Sequence, residues 1–134
     1  MLDRLVGYRI NRATYWTNLL LIIAFVVAVI ALDFTASSLG MVTLVVFTML
    51  AALRLHDIGK TAKIALFGAL LLSFLQIAGL VIYGIEQALM IAGTMNLVVL
   101  LLLVWLGAIK GDPAANAWGD PPPPGISWQR PKPS

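Results

Sequence analysis

Four stretches of this chain run for about the width of a lipid bilayer without a charged side chain. They cover residues 14–32, 39–53, 64–82 and 88–109. The second is short, but Ser37, Ser38 and Leu55 extend it to 37–55, with Arg54 carrying its guanidinium back to the interface on an apolar stem. Soluble domains hold about 25% charged residues; here the figure is 11%, with 60% apolar residues and a mean hydropathy of +0.95 over 134 residues. That much apolar surface does not fit inside one small globular core. A membrane class is the starting expectation. The absence of cysteine excludes disulfides, thiolate catalysis and thiolate metal sites, and leaves the redox compartment open.

The charges are as informative as the runs. All nine Lys and Arg residues lie in three segments: the start, the middle 54–63 and the tail after 109. The connections 33–38 and 83–87 carry acids and no bases. Four crossings bring the three basic segments to one side, and Lys and Arg of short loops stay cytoplasmic. The expected architecture is an all-α membrane protein with four transmembrane helices, at about 14–32, 37–55, 64–82 and 88–109. Both termini are then cytoplasmic, and a small cytoplasmic cap is built from the basic segments. Residues 1–121 form the single membrane domain. Pro121 to Pro124 favour extended geometry and cannot continue a helix, so 122–134 is expected as a flexible cytoplasmic tail. The basic start, first apolar run and Ala36-Ser37-Ser38 also fit a signal peptide, but the run is long and another apolar run follows. The net charge of +3 flanks apolar runs and forms no stripe, so nucleic acid is not an expected partner; the bilayer and its anionic headgroups are.

Small residues recur on helical faces: Thr17, Ala24, Ala28 and Ala31 beside Leu21 in the first run, and Ala65, Ala69 and Ser73 beside Gly68 in the third. Ala88, Ala92 and Asn96 do so in the fourth. Such faces allow close helix approach, within the chain or between copies in a homo-oligomer. Asn96 lies near mid-run, where an amide is expected to face a neighbouring helix. Thr43, Thr48, Ser73, Gln76 and Thr94 are expected to hold helices together.

Three motif segments stand out. The first is Arg9-Ile10-Asn11-Arg12-Ala13-Thr14-Tyr15-Trp16. The second is Arg54-Leu55-His56-Asp57-Ile58-Gly59-Lys60-Thr61, where Gly59 suits a helix terminator and Thr61 an N-cap. The third runs from Lys110-Gly111-Asp112-Pro113 through Asn116-Ala117-Trp118-Gly119-Asp120-Pro121. In this order around four apolar runs, they resemble the domain-of-unknown-function 805 family of small bacterial inner-membrane proteins. The resemblance spans about Arg9 to Pro121 and implies a multi-pass protein of the bacterial inner membrane, with no activity attached. Asn11 and Thr61 stand where the family often has Ser, Tyr8 where it has Gly, and Trp118 where it has Phe or Tyr. Ala62-Lys63-Ile64 replaces a usual Gly-Trp-Trp, and Asp120-Pro121 follows Gly119 one residue early.

The candidate cap residues are Arg9, Arg12, Arg54, His56, Asp57, Lys60 and Asn116. Two chemistries are open to them. Arginine forks and lysine point charges can hold a phosphate or an anionic headgroup. In the plainer reading Asp57 pairs with Arg12, Arg54 or another arginine of the start and fastens the segments together, while Asn116 bonds the backbone of the middle loop. His56 with Asp57 is a weaker catalytic candidate, because neighbouring residues on a helix do not face each other. One His and no Cys make no metal site, and no cofactor motif is present. The expected function is therefore a structural or interaction protein binding an anionic headgroup or a phosphorylated ligand at its cap. The alternatives are a small membrane enzyme acting on a lipid-linked substrate through His56 and Asp57, and an oligomeric channel or transporter component.

Overall fold

A computed structural model of the chain describes residues 8–32 and 36–128. It is all-helical. Helix α1 spans Arg12–Ala31, α2 spans Ala36–Asp57 and α3 spans Lys63–Ala108. Two of them, α1 and α3, are long and apolar enough to cross a membrane.

Three helices replace the four separate ones expected, because the connection anticipated at 83–87 is not a loop. Only Gly84 leaves helical geometry, at φ 79° and ψ 179°, a conformation open essentially to glycine. The chain doubles back there. In a straight helix residues 79 and 91 would stand about 18 Å apart, yet a Cβ built on Gly79 would lie 3.5 Å from Ile91 Cδ1. The limbs 63–83 and 85–108 are therefore antiparallel, and both ends of α3 reach the C-terminus of α2. The first connection is also shorter than expected, since α2 begins at Ala36. Asp33, Phe34 and Thr35 lie outside the described residues, as do the first seven and the last six.

Helix boundaries follow local chemistry. Asn11 caps α1 by accepting from the Thr14 amide at 2.8 Å. Helix α2 ends in a Schellman arrangement: Gly59 has φ 72°, its amide donates to the His56 carbonyl at 3.1 Å, and the Lys60 amide donates to Leu55 at 2.7 Å. The N-cap of α3 is Ala62 rather than the expected Thr61, and it makes no side-chain capping bond; the Thr61 hydroxyl lies one residue earlier and accepts from the Lys63 amide at 3.3 Å.

The buried core lies at the end where these boundaries meet. Ile10, Tyr15, Leu19, Leu50, Ala52, Leu53, Ala62 and Leu103 form it. Tyr15 donates its hydroxyl to the Leu103 carbonyl at 2.8 Å, tying α1 to α3. The approach is close because position 107 is glycine. A Cβ there would sit 2.8 Å from ring carbons of both Tyr15 and Trp16. Farther along, α1 and α3 expose Leu20, Phe25, Ile30, Phe67, Phe74, Val81 and Leu89.

Several packing expectations change. In α1 the stripe of Leu21, Ala24, Ala28 and Ala31 is exposed, and the inward face carries Tyr15, Leu19, Ile22 and Ile23 instead. Large side chains that fill the contact prevail over small ones that only permit it. Ala65, Gly68, Ala69 and Ser73 are half-buried, as are Ala88 and Ala92, but Asn96 is exposed. The hydroxyls of Thr48, Ser73 and Thr94 donate to carbonyls one turn back, at Leu44, Ala69 and Met90. Their hydrogen bonds thus stay within their own helices.

Candidate functional site

The three motif segments meet at the core end and build a closed cap. Its centre is Arg9, 1% exposed, just ahead of α1. Its Nε donates to Asp57 Oδ1 at 3.3 Å. Nη1 donates to the carbonyls of Ala114 and Gly119 at 2.9 and 3.0 Å. Nη2 reaches the carbonyls of Asp112 and Asp57 at 2.6 and 3.4 Å. One guanidinium thus gathers the loop after α3 around itself and joins it to the end of α2. Its fixed fork of five N–H donors suits a ring of carbonyls that a lysine ammonium could not span.

Arg54 is the second buried cation, with no exposed surface. It pairs with the other oxygen of Asp57 one turn on, and it donates to the carbonyls of Ile10 and Ile109. The Tyr15 ring lies beneath it, 6.0 Å from the guanidinium carbon, within reach of a cation–π attraction. Asp57 therefore bridges two arginines from different segments. Burial pushes its carboxyl above the ordinary carboxylate range, against the opposing pull of Arg54 and Arg9. Gly111 lies against that carboxylate, and a Cβ at 111 would collide with it.

Asn116 acts as a strut. Its amide nitrogen donates to the His56 carbonyl at 3.0 Å and to Asp112 Oδ2 at 3.2 Å, while its carbonyl oxygen accepts from the Trp118 amide at 2.9 Å. Asn116 and Gly119 also exchange backbone hydrogen bonds at 3.1 and 3.0 Å. The Asp112 amide donates to the Asp57 carbonyl at 2.7 Å. Trp118 stacks on His56, with centroids 3.8 Å apart and planes 12° from parallel. The imidazole is fully buried beneath that indole.

The candidate residues divide into two groups. Arg9, Arg54, His56, Asp57 and Asn116 come together in the interior of the cap. Arg12 and Lys60 remain exposed, and so do Lys63 and Lys110 close by. The pairing of Asp57 with Arg54 and an arginine of the start is present, and that arginine is Arg9. Sequence reasoning placed Gly111 in a motif without a role for it, and did not single out Gly107 or the carbonyl acceptors of Ile10, Ile109, Asp112 and Ala114. Carbonyls leave no mark in a sequence.

The stretch expected as a free tail from 122 is held as far as Trp128. Asn11 donates to the carbonyls of Pro123 and Gly125, each at 2.6 Å. The Thr14 hydroxyl accepts from the Ser127 amide at 2.9 Å and donates to its carbonyl at 3.2 Å. Trp128 Nε1 donates to Asn18 Oδ1 at 3.1 Å. Residues 129–134 lie outside the described residues.

The cap is an interlocked arginine–carboxylate cluster that fastens segments distant in the sequence. Comparison with protein-family models, with characterised proteins and with solved structures finds no match in any of the three.

Proposed function

We propose that this chain is a multi-pass protein of the bacterial inner membrane, with both termini and the cap on the cytoplasmic side. In this reading its cap is an internally locked platform that meets anionic headgroups through its rim. The observation that carries the proposal is the division of the cations. Arg9 and Arg54 are committed inward to Asp57 and to carbonyls, whereas Arg12, Lys60, Lys63 and Lys110 are exposed around the helix ends. An inner leaflet rich in anionic lipid attracts such residues by about 1 kcal/mol each.

Dimensions support the membrane part of the proposal. Helix α1 has 20 residues, about 30 Å of rise, and each limb of α3 is at least that long. The hydrocarbon core of a bilayer measures about 30 Å. The described interiors of these elements carry no charge until Glu86, at the far bend. The chain is further proposed to belong with the small inner-membrane proteins that its three motifs resemble, since those motifs are the segments that meet in the cap. An enzyme centred on His56 is less favoured, because the ring lies under Trp118 with no surface for a substrate.

The test is reconstitution in vesicles of phosphatidylethanolamine with or without phosphatidylglycerol. The protein is expected to resist alkaline carbonate extraction and to melt higher with phosphatidylglycerol. A variant with Gln at positions 12, 60, 63 and 110 is expected to lose that increment while keeping its fold. Release by carbonate overturns the membrane reading. An unchanged increment in the variant overturns the role of the rim.

A further inference from the structure

We infer that residues 121–128 form an interfacial strap, which leaves the cap, descends beside α1 and seats Ile126 and Trp128 in the headgroup layer of the membrane. This deepens the proposed function and rests on its membrane reading, because it names a second part of the chain that contacts lipid.

The course of the strap is fixed by its hydrogen bonds. Pro123 and Gly125 are held at Asn11, Ser127 at Thr14 and Trp128 at Asn18. As the strap advances, its partner advances along α1 in the same direction. Between Asn11 and Asn18 that is about 10 Å of helix rise, from the cap towards the apolar segment. A solvated tail has no reason to follow this path. The prolines favour it, since an extended stretch loses little freedom on docking and Pro123 uses only its carbonyl.

Two side chains at the lower end point to what covers them. Ile126 is 55% exposed and Trp128 is 66% exposed. Trp128 has placed its one polar atom on Asn18, so the exposed part of its ring is apolar. An indole with its N–H satisfied and its face uncovered suits the boundary between headgroups and acyl chains. Other tryptophans occupy the same level. Trp16 lies on α1 between Thr14 and Asn18, and Trp105, 62% exposed, lies one turn before the end of α3. Trp105 and Trp128 thus present exposed indoles at one end of the helices, while Trp16 packs partly buried against Gly107. Exposed Arg12 stands on its cap side beside Asn11, where an anionic headgroup would complement it.

Single-tryptophan variants test the inference, with the other three tryptophans replaced by Phe. They are reconstituted in phosphatidylethanolamine–phosphatidylglycerol vesicles with or without bromine near the headgroup end of the acyl chains. Trp128 and Trp105 are each expected to lose about half of their emission in brominated lipid, while Trp118, stacked on His56, keeps its own. Quenching of Trp105 without Trp128 overturns the strap and leaves the membrane reading intact. Quenching of neither overturns both. Because replacing Trp16 or Trp118 disturbs packing, Ile126→Cys labelled with an environment-sensitive dye gives a second readout with every tryptophan in place. The chain has no other cysteine. Its emission is expected to shift to the blue in vesicles relative to the same dye at Ala115→Cys, and equal emission at the two positions overturns the inference.

Discussion

At the scale of residues, the cap turns on one carboxylate between two guanidiniums. Asp57 lies 3.3 Å from Arg9 and also pairs with Arg54, and both arginine side chains have no exposed surface. Desolvation is costly for such a buried group and offsets much of its attraction to the two cations. The cluster as a whole then adds little net stability, but removing one member strands the others. Breaking a buried pair typically costs about 3–5 kcal/mol. Asp57→Asn and Arg9→Met are each expected to lower stability by about that range, and the double variant to recover part of the loss. Cycles pairing Asp57 with Arg54 should show the same coupling. A cycle with Arg12 should give a value near zero, because that side chain is exposed. Chemical denaturation in detergent micelles measures each one, and zero coupling with both Arg9 and Arg54 would remove the case for a locked cap. The sequence made the participants legible, because charges at apolar boundaries are few. It did not single out Arg9 among the arginines of the start. That choice depends on three carbonyls of the loop after α3 and one at the end of α2, whose meeting follows only from the fold.

At the scale of elements, α3 shows where pattern reading stops. A charge-poor segment with Gly84 and Glu86 between two apolar runs reads as a loop, yet a single glycine makes the reversal and helical geometry holds on either side of it. The two apolar runs were visible, but not how little chain is needed to turn between them. Inward faces were harder still. In α1 the alanine stripe looks outward because Tyr15 reaches the Leu103 carbonyl and Gly107 admits the Tyr15 and Trp16 rings. The partner's shape decided the face, and α1's own periodicity does not encode it. The reversal makes a direct prediction. Cysteines at Gly79 and Ile91 should be bridged by a short bifunctional maleimide of about 8 Å reach, since a straight helix would hold them about 18 Å apart. Gly84→Ala should reduce that yield and lower the melting temperature, as strain in this backbone region costs about 1–3 kcal/mol. An absent cross-link in the unmodified background would show that the limbs do not pack.

At the scale of the whole molecule, the segments joined in the cap are those that carry the described basic residues. Both ends of α3, the end of α2 and the start of α1 meet there, so any membrane the helices cross must leave the cap on one side. Lysine and arginine in short segments hold to the cytoplasmic face, and the far bend, with Glu86 and no base, has nothing to hold it there. The proposed orientation predicts how thiols label in intact cells. A cysteine at Gln87, exposed beside the bend, should react with a membrane-impermeant maleimide from outside the inner membrane. Cysteines at Lys60 and Asp120, exposed on the cap, should react only after the membrane is opened. Because the cap binds both of its connections into one unit through Arg9, Lys60 and Asp120 must behave alike whichever way the protein inserts. Early labelling at both with none at Gln87 would invert the orientation and keep the fold. Early labelling at one cap position and not the other would mean that the membrane divides the cap, and neither the lock nor the rim proposed for it could then exist.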